Sequence, residues 1–482
     1  MSPALILACI GGYFFLLLVI AWRTGRGAGN AAYFLGNRQS PWYAVAFGLI
    51  GDSLSGVTFI SVPGWVGTTG FSYLQMVFGY VAGYLVIAHL LLPLYYRLEL
   101  TSIYSLLGQR LGDAAQRTGS SFFLVSRLVG AAARLYLAVT VLQHFVFRGW
   151  GVPLWVTAAA TILLIVAYTY RGGIKTLVWT DTFQSAFLLL GLGLSVVAIA
   201  WQLGLGPGEV VRVVRESPHS RVFFWDWAPA TNFWKQFIGG AFVAICMTGL
   251  DQNMMQKSLS CRSLAEAQRN IHWFAGIVVL VTLLFLSLGA LLFHYAEVRG
   301  IPLPARSDQL FPTLALQHLG AFAAVVFALG LTAATFSSAD SVLTTLTTSF
   351  CIDILRLDRD TGWTEARQTR TRHLLHVGFA GLLLLAILAF AWAGTDAIIG
   401  AVLKLANYTY GPLLGLFAFA LYGRGRPRGA WVPAACLVPP VLCGVLDANS
   451  RAWLGGYAFG NELLVINGAL TYAGLWLVKP RR

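Results

Sequence analysis

Apolar stretches of about twenty residues recur along the chain, separated by short clusters of charged residues, Gly and Pro. A helix crossing the hydrocarbon core of a bilayer needs about 20 largely apolar residues, because its N–H and C=O groups must satisfy one another within the segment. By that measure the pattern predicts about 13 spans, near 3–22, 41–67, 71–96, 121–146, 152–170, 176–203, 234–251, 271–294, 317–350, 373–394, 396–422, 430–447 and 459–478. The first run, from Pro3 to Trp22, lacks a basic leader and is read as a span rather than a signal peptide. No loop is long enough to fold alone, so 1–482 reads as one all-α, polytopic transmembrane domain in a lipid bilayer.

Composition supports this. The chain is 57% hydrophobic and 11% charged, whereas soluble domains carry about 25% charged residues. A net charge of +14 raises the question of nucleic acid, but 16 Trp, 31 Phe and long uncharged runs leave no soluble basic face, so no nucleic-acid partner is expected. The basic residues instead concentrate in every second loop: Arg23, Arg26 and Arg38; Arg97 and Arg110; Lys257, Arg262 and Arg269; Arg367, Arg370 and Arg372; Arg424, Arg426 and Arg428. The positive-inside rule then places the N-terminus outside and the C-terminus in the cytoplasm, with Lys257 in a cytoplasmic loop. The cell membrane, of the bacterial inner type, is the expected location. Six scattered cysteines without a CxxC pair indicate neither a metal site nor a disulfide framework. The outward stretch VVRVVRESPHSRVFFWDWAP, from Val210 to Pro229, suits an interfacial helix or lid, or equally a plain surface loop.

Ionisable side chains inside spans are costly and mark substrate or ion paths. They are chiefly Asp52, Arg127, Arg134, His144, Asp181, Asp340 and Lys404. The second span, GLIGDSLSGVTFISVPGWVG, sets Gly, Ser, Thr, Asp and Pro where lipid favours Leu. A broken helix whose freed carbonyls coordinate a cation accounts for that pattern, and close packing through small residues is the alternative. In the ninth span, AATFSSADSVLTTLTTSFCIDI, helical spacing puts Ser337, Asp340, Ser341 and Thr344 on one stripe. Their oxygens are the hard ligands a sodium ion takes, although Ser and Thr also bond back to the i−4 carbonyl and bend helices. Asp181 lies just inside the sixth span, where Lys175 or Arg171 offers a salt bridge.

At these residues the chain resembles the sodium/solute symporter family. The resemblance is carried by FLGNR (Phe34–Arg38), GDSLSGVTFISVPG (Gly51–Gly64), GGIKTLVWTDTFQ (Gly172–Gln184), GLDQNMMQKSLSC (Gly249–Cys261), SSADSVLTTLTTSF (Ser337–Phe350) and YTYGPLLGLF (Tyr408–Phe417). It implies a leucine-transporter-like fold of two inverted five-helix repeats, 41–203 and 234–422, with 1–40 and 427–482 peripheral. It also implies a sodium site formed by the carbonyls of Gly51, Leu54 and Ala334 and the hydroxyls of Ser337 and Ser338. A second site, for Na⁺ or for H⁺ coupling, would use Asp181, Asp340 and Ser341. Asp340 and Asp52 depart from the family's usual small or hydroxyl residues, which leaves the ion stoichiometry open. A substrate cavity beside the break would involve Asp52, Ser53, Ser55 and Thr58, with Tyr73 and Gln75 opposite. Arg134 would clamp a substrate carboxylate, or else pair with Asp52 or another buried acid. The Asp251–Gln252 pair reads as gating or structural.

The function so implied is Na⁺-coupled symport, as import, of a small organic solute: a sugar, sialic acid, amino acid or monocarboxylate. The alternatives are H⁺ coupling, or a solute sensor signalling through a separate partner. Sodium is the expected coupling ion, no organic cofactor is expected, and the expected functional unit is a monomer. An enzyme is not expected, since no His pairs with a nucleophile, no HExxH occurs and no phosphate-binding Gly loop follows a strand.

Overall fold

Each apolar run forms a helix in the computed structural model, which describes residues 3–143, 147–358, 362–393, 395–457 and 459–480, without the side chains of 3–6, 148 and 395–404. His144 and the side chain of Lys404 therefore lie outside the described residues. The principal helices are α1 (Pro3–Thr24), α2 (Trp42–Ser53), α3 (Gly56–Thr69), α4 (Tyr73–Arg97), α5 (Asp113–Leu142), α6 (Leu154–Thr169), α7 (Ile174–Leu203), α8 (Phe233–Gly249), α9 (Gln252–Leu259), α10 (Leu264–Val298), α11 (Gly320–Ile354), α12 (Glu365–Ala393), α13 (Thr395–Tyr422), α14 (Val432–Trp453) and α15 (Glu462–Leu477). Among the described residues no strand forms. Eight of these helices are long and apolar enough to cross a membrane, or ten if each of two bent pairs is one span. The other expected spans fall on the shorter apolar helices α6 and α15 and on α13. The chain is a multi-pass membrane protein.

Several helices outrun their apolar cores. α5 begins at Asp113, α10 at Leu264 and α12 at Glu365, each about two turns before the expected boundary. The added turns carry Arg117, Glu266, Arg269, Arg367 and Arg370, charges that a helix tolerates once it has left hydrocarbon.

The two bent pairs, α2/α3 and α8/α9, each turn by 63°. They open the two expected repeats. At the first bend Ser55 is extended (φ −67°, ψ 170°), and at the second Asp251 is extended (φ −113°, ψ 120°) and caps α9 by accepting the Met254 N–H at 3.2 Å. A bend of this kind frees backbone groups that must find partners off the helical ladder.

Helix α11 is buried without interruption from Leu331 to Ser349 and lies against α2, α3, α5, α7 and α12. Its crossing with α7 is close: a Cβ at Gly191 would stand 2.9 Å from the Gly330 Cα, so only Gly fits. Helix α1 packs on α6, α7 and α11, burying Tyr13 and Leu17, while α14 and α15 pack on α13. Loops that alternate spans assign to one side do meet. Arg38 reaches the Leu100 carbonyl (3.2 Å), Ser40 the Ser260 carbonyl (3.0 Å) and Arg372 the Asn30 carboxamide (2.8 Å) at one end. At the other, the Phe71 N–H meets the Arg221 carbonyl (2.9 Å) and Arg299 the Gln202 carbonyl (2.8 Å). At that second end Pro207–Glu216 forms a surface helix, and the segment after it sets Phe223, Trp225 and Phe233 in ring contact.

Candidate cation and solute site

The bend between α2 and α3 lies against the middle of α11. There the Ser338 hydroxyl donates to the Gly51 carbonyl at 3.4 Å and to the Ala334 carbonyl at 3.3 Å. The Gly51 N–H donates to Ser185 Oγ at 2.9 Å. Leu54 stands between the two half-helices (φ −101°, ψ 79°), which takes its carbonyl out of the regular ladder. The Ser337 hydroxyl is wholly buried and has no hydrogen-bond partner among the described residues. An orphaned buried hydroxyl is costly, and it fits a position completed by a ligand. Gly51 permits the approach, since a Cβ there would sit 2.5 Å from Ser337 Oγ. Gly51, Ala334, Ser337 and Ser338 therefore come together as hydroxyl and carbonyl oxygens, neutral hard donors of the kind an alkali cation takes, with Leu54 three residues beyond Gly51 at the bend. Among the described residues no group of three or more His, Cys, Asp or Glu side chains could hold a metal ion.

One turn along α11 the arrangement differs from the sequence expectation. The Lys257 ammonium, on half-helix α9, ion-pairs with both Asp52 and Asp181 and lies 2.6 Å from Ser341 Oγ. The Ser341 hydroxyl is in turn 3.3 Å from Asp181 Oδ2. Asp340 accepts from the Tyr168 hydroxyl (2.9 Å) and from the Ser341 N–H (2.6 Å). Lys257 is thus not in a cytoplasmic loop but buried, its side chain 1% exposed, and Asp181 pairs with it rather than with Lys175 or Arg171. The sequence signal for this was faint. After the second bend, of 63°, α9 stays within the bundle and buries all eight of its residues, a path that hydropathy does not register.

A cavity of about 100 Å³ opens on the same bend, lined among others by Asp52, Ser53, Tyr73, Tyr84, Arg134 and Thr248. Ser55 and Thr58 do not line it. Gln75 does not line it either: its carboxamide donates to the Thr231 carbonyl at 2.8 Å and accepts the Phe224 N–H at 3.1 Å, fastening the outer loop to α4. A loop running back over helices brings backbone groups that need such partners. Gln75→Leu is accordingly expected to lower stability by about 1–3 kcal/mol and to leave the half-saturating solute concentration unchanged. A changed solute affinity at unchanged melting temperature would return Gln75 to the cavity.

The two arginines of α5 differ in role. Arg127 Nε is 2.6 Å from Asp251 Oδ2, which also accepts the Tyr410 hydroxyl at 2.5 Å. Gln252, beside it, accepts the Ile103 N–H (2.8 Å) and donates to the Thr101 carbonyl (2.9 Å), a structural tie. Arg134 has no ion pair or hydrogen bond among the described residues, so its pairing with Asp52 is not observed. Arg134 lines the cavity, and its guanidinium is a fork of donors without an acceptor among the described residues.

Residues 33–432 match the model of the sodium:solute symporter family. The sodium/sialic acid symporter of Proteus mirabilis is 24% identical over 469 residues, covering 95% of this chain and 92% of that protein. The sodium-coupled monocarboxylate transporter 1 of Xenopus laevis is 25% identical over 435 residues, 86% of this chain and 66% of that protein, so the chain spans about two thirds of that relative's length. A solved substrate-bound, outward-open Na⁺-coupled sialic acid symporter superposes with a TM-score of 0.83 at 22% identity, covering 99% of this chain and 98% of the other. At that identity the likeness is one of fold.

Proposed function

The chain belongs to the sodium:solute symporter family, and on that premise we propose that it imports a small carboxylate-bearing solute with sodium, Arg134 holding the carboxylate. Na⁺-coupled symport of a small organic solute is the activity; the carboxylate is the finer step. The observation that carries it is the Arg134 side chain, half-buried in the bundle beside the bend and lining the cavity, yet without a protein acceptor among the described residues. A planar donor fork matches a carboxylate bidentately. The cavity's volume of about 100 Å³ is well below the roughly 300–1,000 Å³ of sites for drug-sized ligands. That size favours a short monocarboxylate over a nine-carbon sugar acid.

Sodium binds on the Gly51, Leu54 and Ala334 carbonyls and the Ser337 and Ser338 hydroxyls, next to the cavity wall formed by Asp52 and Ser53. Occupation of that site holds α2 against α11 and so favours the outward-open cavity, and solute binding completes it; the linkage is reciprocal. The protein works without an organic cofactor, as a monomer, with its N-terminus outside and its C-terminus in the cytoplasm of a bacterial inner membrane, and it catalyses no covalent chemistry.

The test is uptake of ¹⁴C-labelled acetate, pyruvate, lactate and N-acetylneuraminate into proteoliposomes under an inward sodium gradient. Arg134→Gln should lower uptake efficiency for the transported acid about 10²-fold, the worth of two charge-assisted hydrogen bonds. Arg134→Lys should recover only part of it. Wild-type uptake kinetics in the Gln variant would sink the assignment.

A further inference from the structure

The half-helix α9 delivers a charge that the transport scheme above does not use. Lys257 Nζ touches Asp52 of α2, Asp181 of α7 and Ser341 of α11 at once. Asp181 and Ser341 are two of the three residues expected to hold a second ion. We propose that the Lys257 ammonium is itself the resident cation of that second site, so that this transporter binds one sodium ion where two were expected. The proposal rests on the reading that sodium occupies the site at Gly51, Leu54, Ala334, Ser337 and Ser338.

Three observations support it. Asp52 Oδ1 and Asp181 Oδ1 have no hydrogen-bond partner among the described residues, but Asp181 Oδ2 and Ser341 Oγ are already engaged: Asp181 Oδ2 faces both Nζ and the Ser341 hydroxyl (3.3 Å), and Ser341 Oγ lies 2.6 Å from Nζ. A sodium ion placed on them would stand at contact distance from an ammonium in a dry interior, where like charges repel far more strongly than in water. The ammonium is also held from behind. Helix α9 is fixed by the Gln256 carboxamide on Thr348 Oγ (2.9 Å), by Asn253 on Thr345 (3.1 Å) and by the Gln252 bonds to Ile103 and Thr101. The charges, finally, call for a cation that stays. Asp52, Asp181 and Asp340 crowd one buried region, and carboxylates so placed need a compensating charge in every state of the cycle. Asp340, bonded to Tyr168, completes the shell around Ser341. Asp52 also follows Gly51 directly in the chain, so the lysine braces the strip of α2 that supplies the first site's carbonyl.

The experiment is equilibrium binding of ²²Na⁺ to the purified full chain in detergent. Wild type should saturate at one ion per chain, and Ser337→Ala should weaken that ion about tenfold or more. Two ions in wild type would overturn the resident-lysine proposal and leave the first site standing. No bound ion, or an ion indifferent to Ser337→Ala, would overturn the first site and this proposal together. Lys257→Gln frees Asp52, Asp181 and Ser341 and should raise the count to two. A Lys257→Gln protein that still binds its first ion and gains no second would overturn the proposal. If that variant does not fold, the wild-type count decides alone.

Discussion

Arg127→Met is expected to lower the stability of the purified protein by about 3–5 kcal/mol, because it strands Asp251 as an uncompensated buried charge. The Asp251 side chain is wholly buried, and its Oδ2 takes both Arg127 Nε at 2.6 Å and the Tyr410 hydroxyl at 2.5 Å. One phenol cannot balance a carboxylate. Thermal unfolding in detergent should show a fall of several degrees, and a loss below about 1 kcal/mol would mean that the charge is satisfied elsewhere. The double variant Arg127→Met, Asp251→Leu separates charge from architecture, since removing both partners of a buried pair is often neutral. It should regain most of the loss but not all. Asp251 Oδ1 also accepts the Met254 N–H and so caps α9, and a lost cap costs about 1 kcal/mol. The pair thus serves two ends: it neutralises itself, and it ties α5 and α13 to the bend from which Lys257 is projected.

The two bends were unequally legible. The first announces itself, because Gly51, Gly56, Pro63 and four Ser or Thr within one span are residues that hydrocarbon does not select. The second has only Gly249 and Asp251 at an apparent span end, which reads as an ordinary exit to a loop. Lys257 reads as cytoplasmic from the same cause: the positive-inside rule weighs charges by their distance from an apolar run, and a half-helix that bends by 63° and stays buried breaks that proportionality. Partner choice among buried charges is a tertiary matter throughout. Asp181 had Lys175 and Arg171 within ten residues and pairs with a lysine 76 residues away. Gln75 shows the converse error. A polar residue inside a span reads as cavity lining, whereas the outer loop, whose path the sequence does not give, supplies its partners. The spans themselves were legible because lipid leaves the backbone no other solution. In the oxygen-rich stripe of α11 the sequence leaves two uses open, and Ser338, Thr345, Thr347 and Thr348 do bond back to the carbonyl four residues earlier, while the Ser337 hydroxyl does not.

Gly51→Val is expected to raise the half-saturating sodium concentration about 10–100-fold, the usual effect of disturbing the support of a metal-binding position. The Cβ alone would lie 2.5 Å from Ser337 Oγ and 2.9 Å from Ser185 Oγ, on α11 and α7. Neither serine can yield freely, because α11 is buried on every side here and Ser185 holds the Gly51 N–H. The α2 backbone must therefore back away, carrying the Gly51 carbonyl from the Ser338 hydroxyl, at a packing cost of about 1–3 kcal/mol. A fall in stability without a change in sodium dependence would mean that the ion sits elsewhere. The milder Gly51→Ala, combined with Ser337→Gly, isolates the cause. With Ser185 Oγ still 2.9 Å from the new methyl group, deleting the Ser337 side chain removes the shorter of the two contacts, so packing and melting temperature should recover in part. The hydroxyl is still gone, so sodium affinity should not. Full recovery of affinity in that double variant would show that α2 needs only to sit close to α11 and that Ser337 is no ligand, which would leave the three carbonyls and Ser338 to bind the ion on their own.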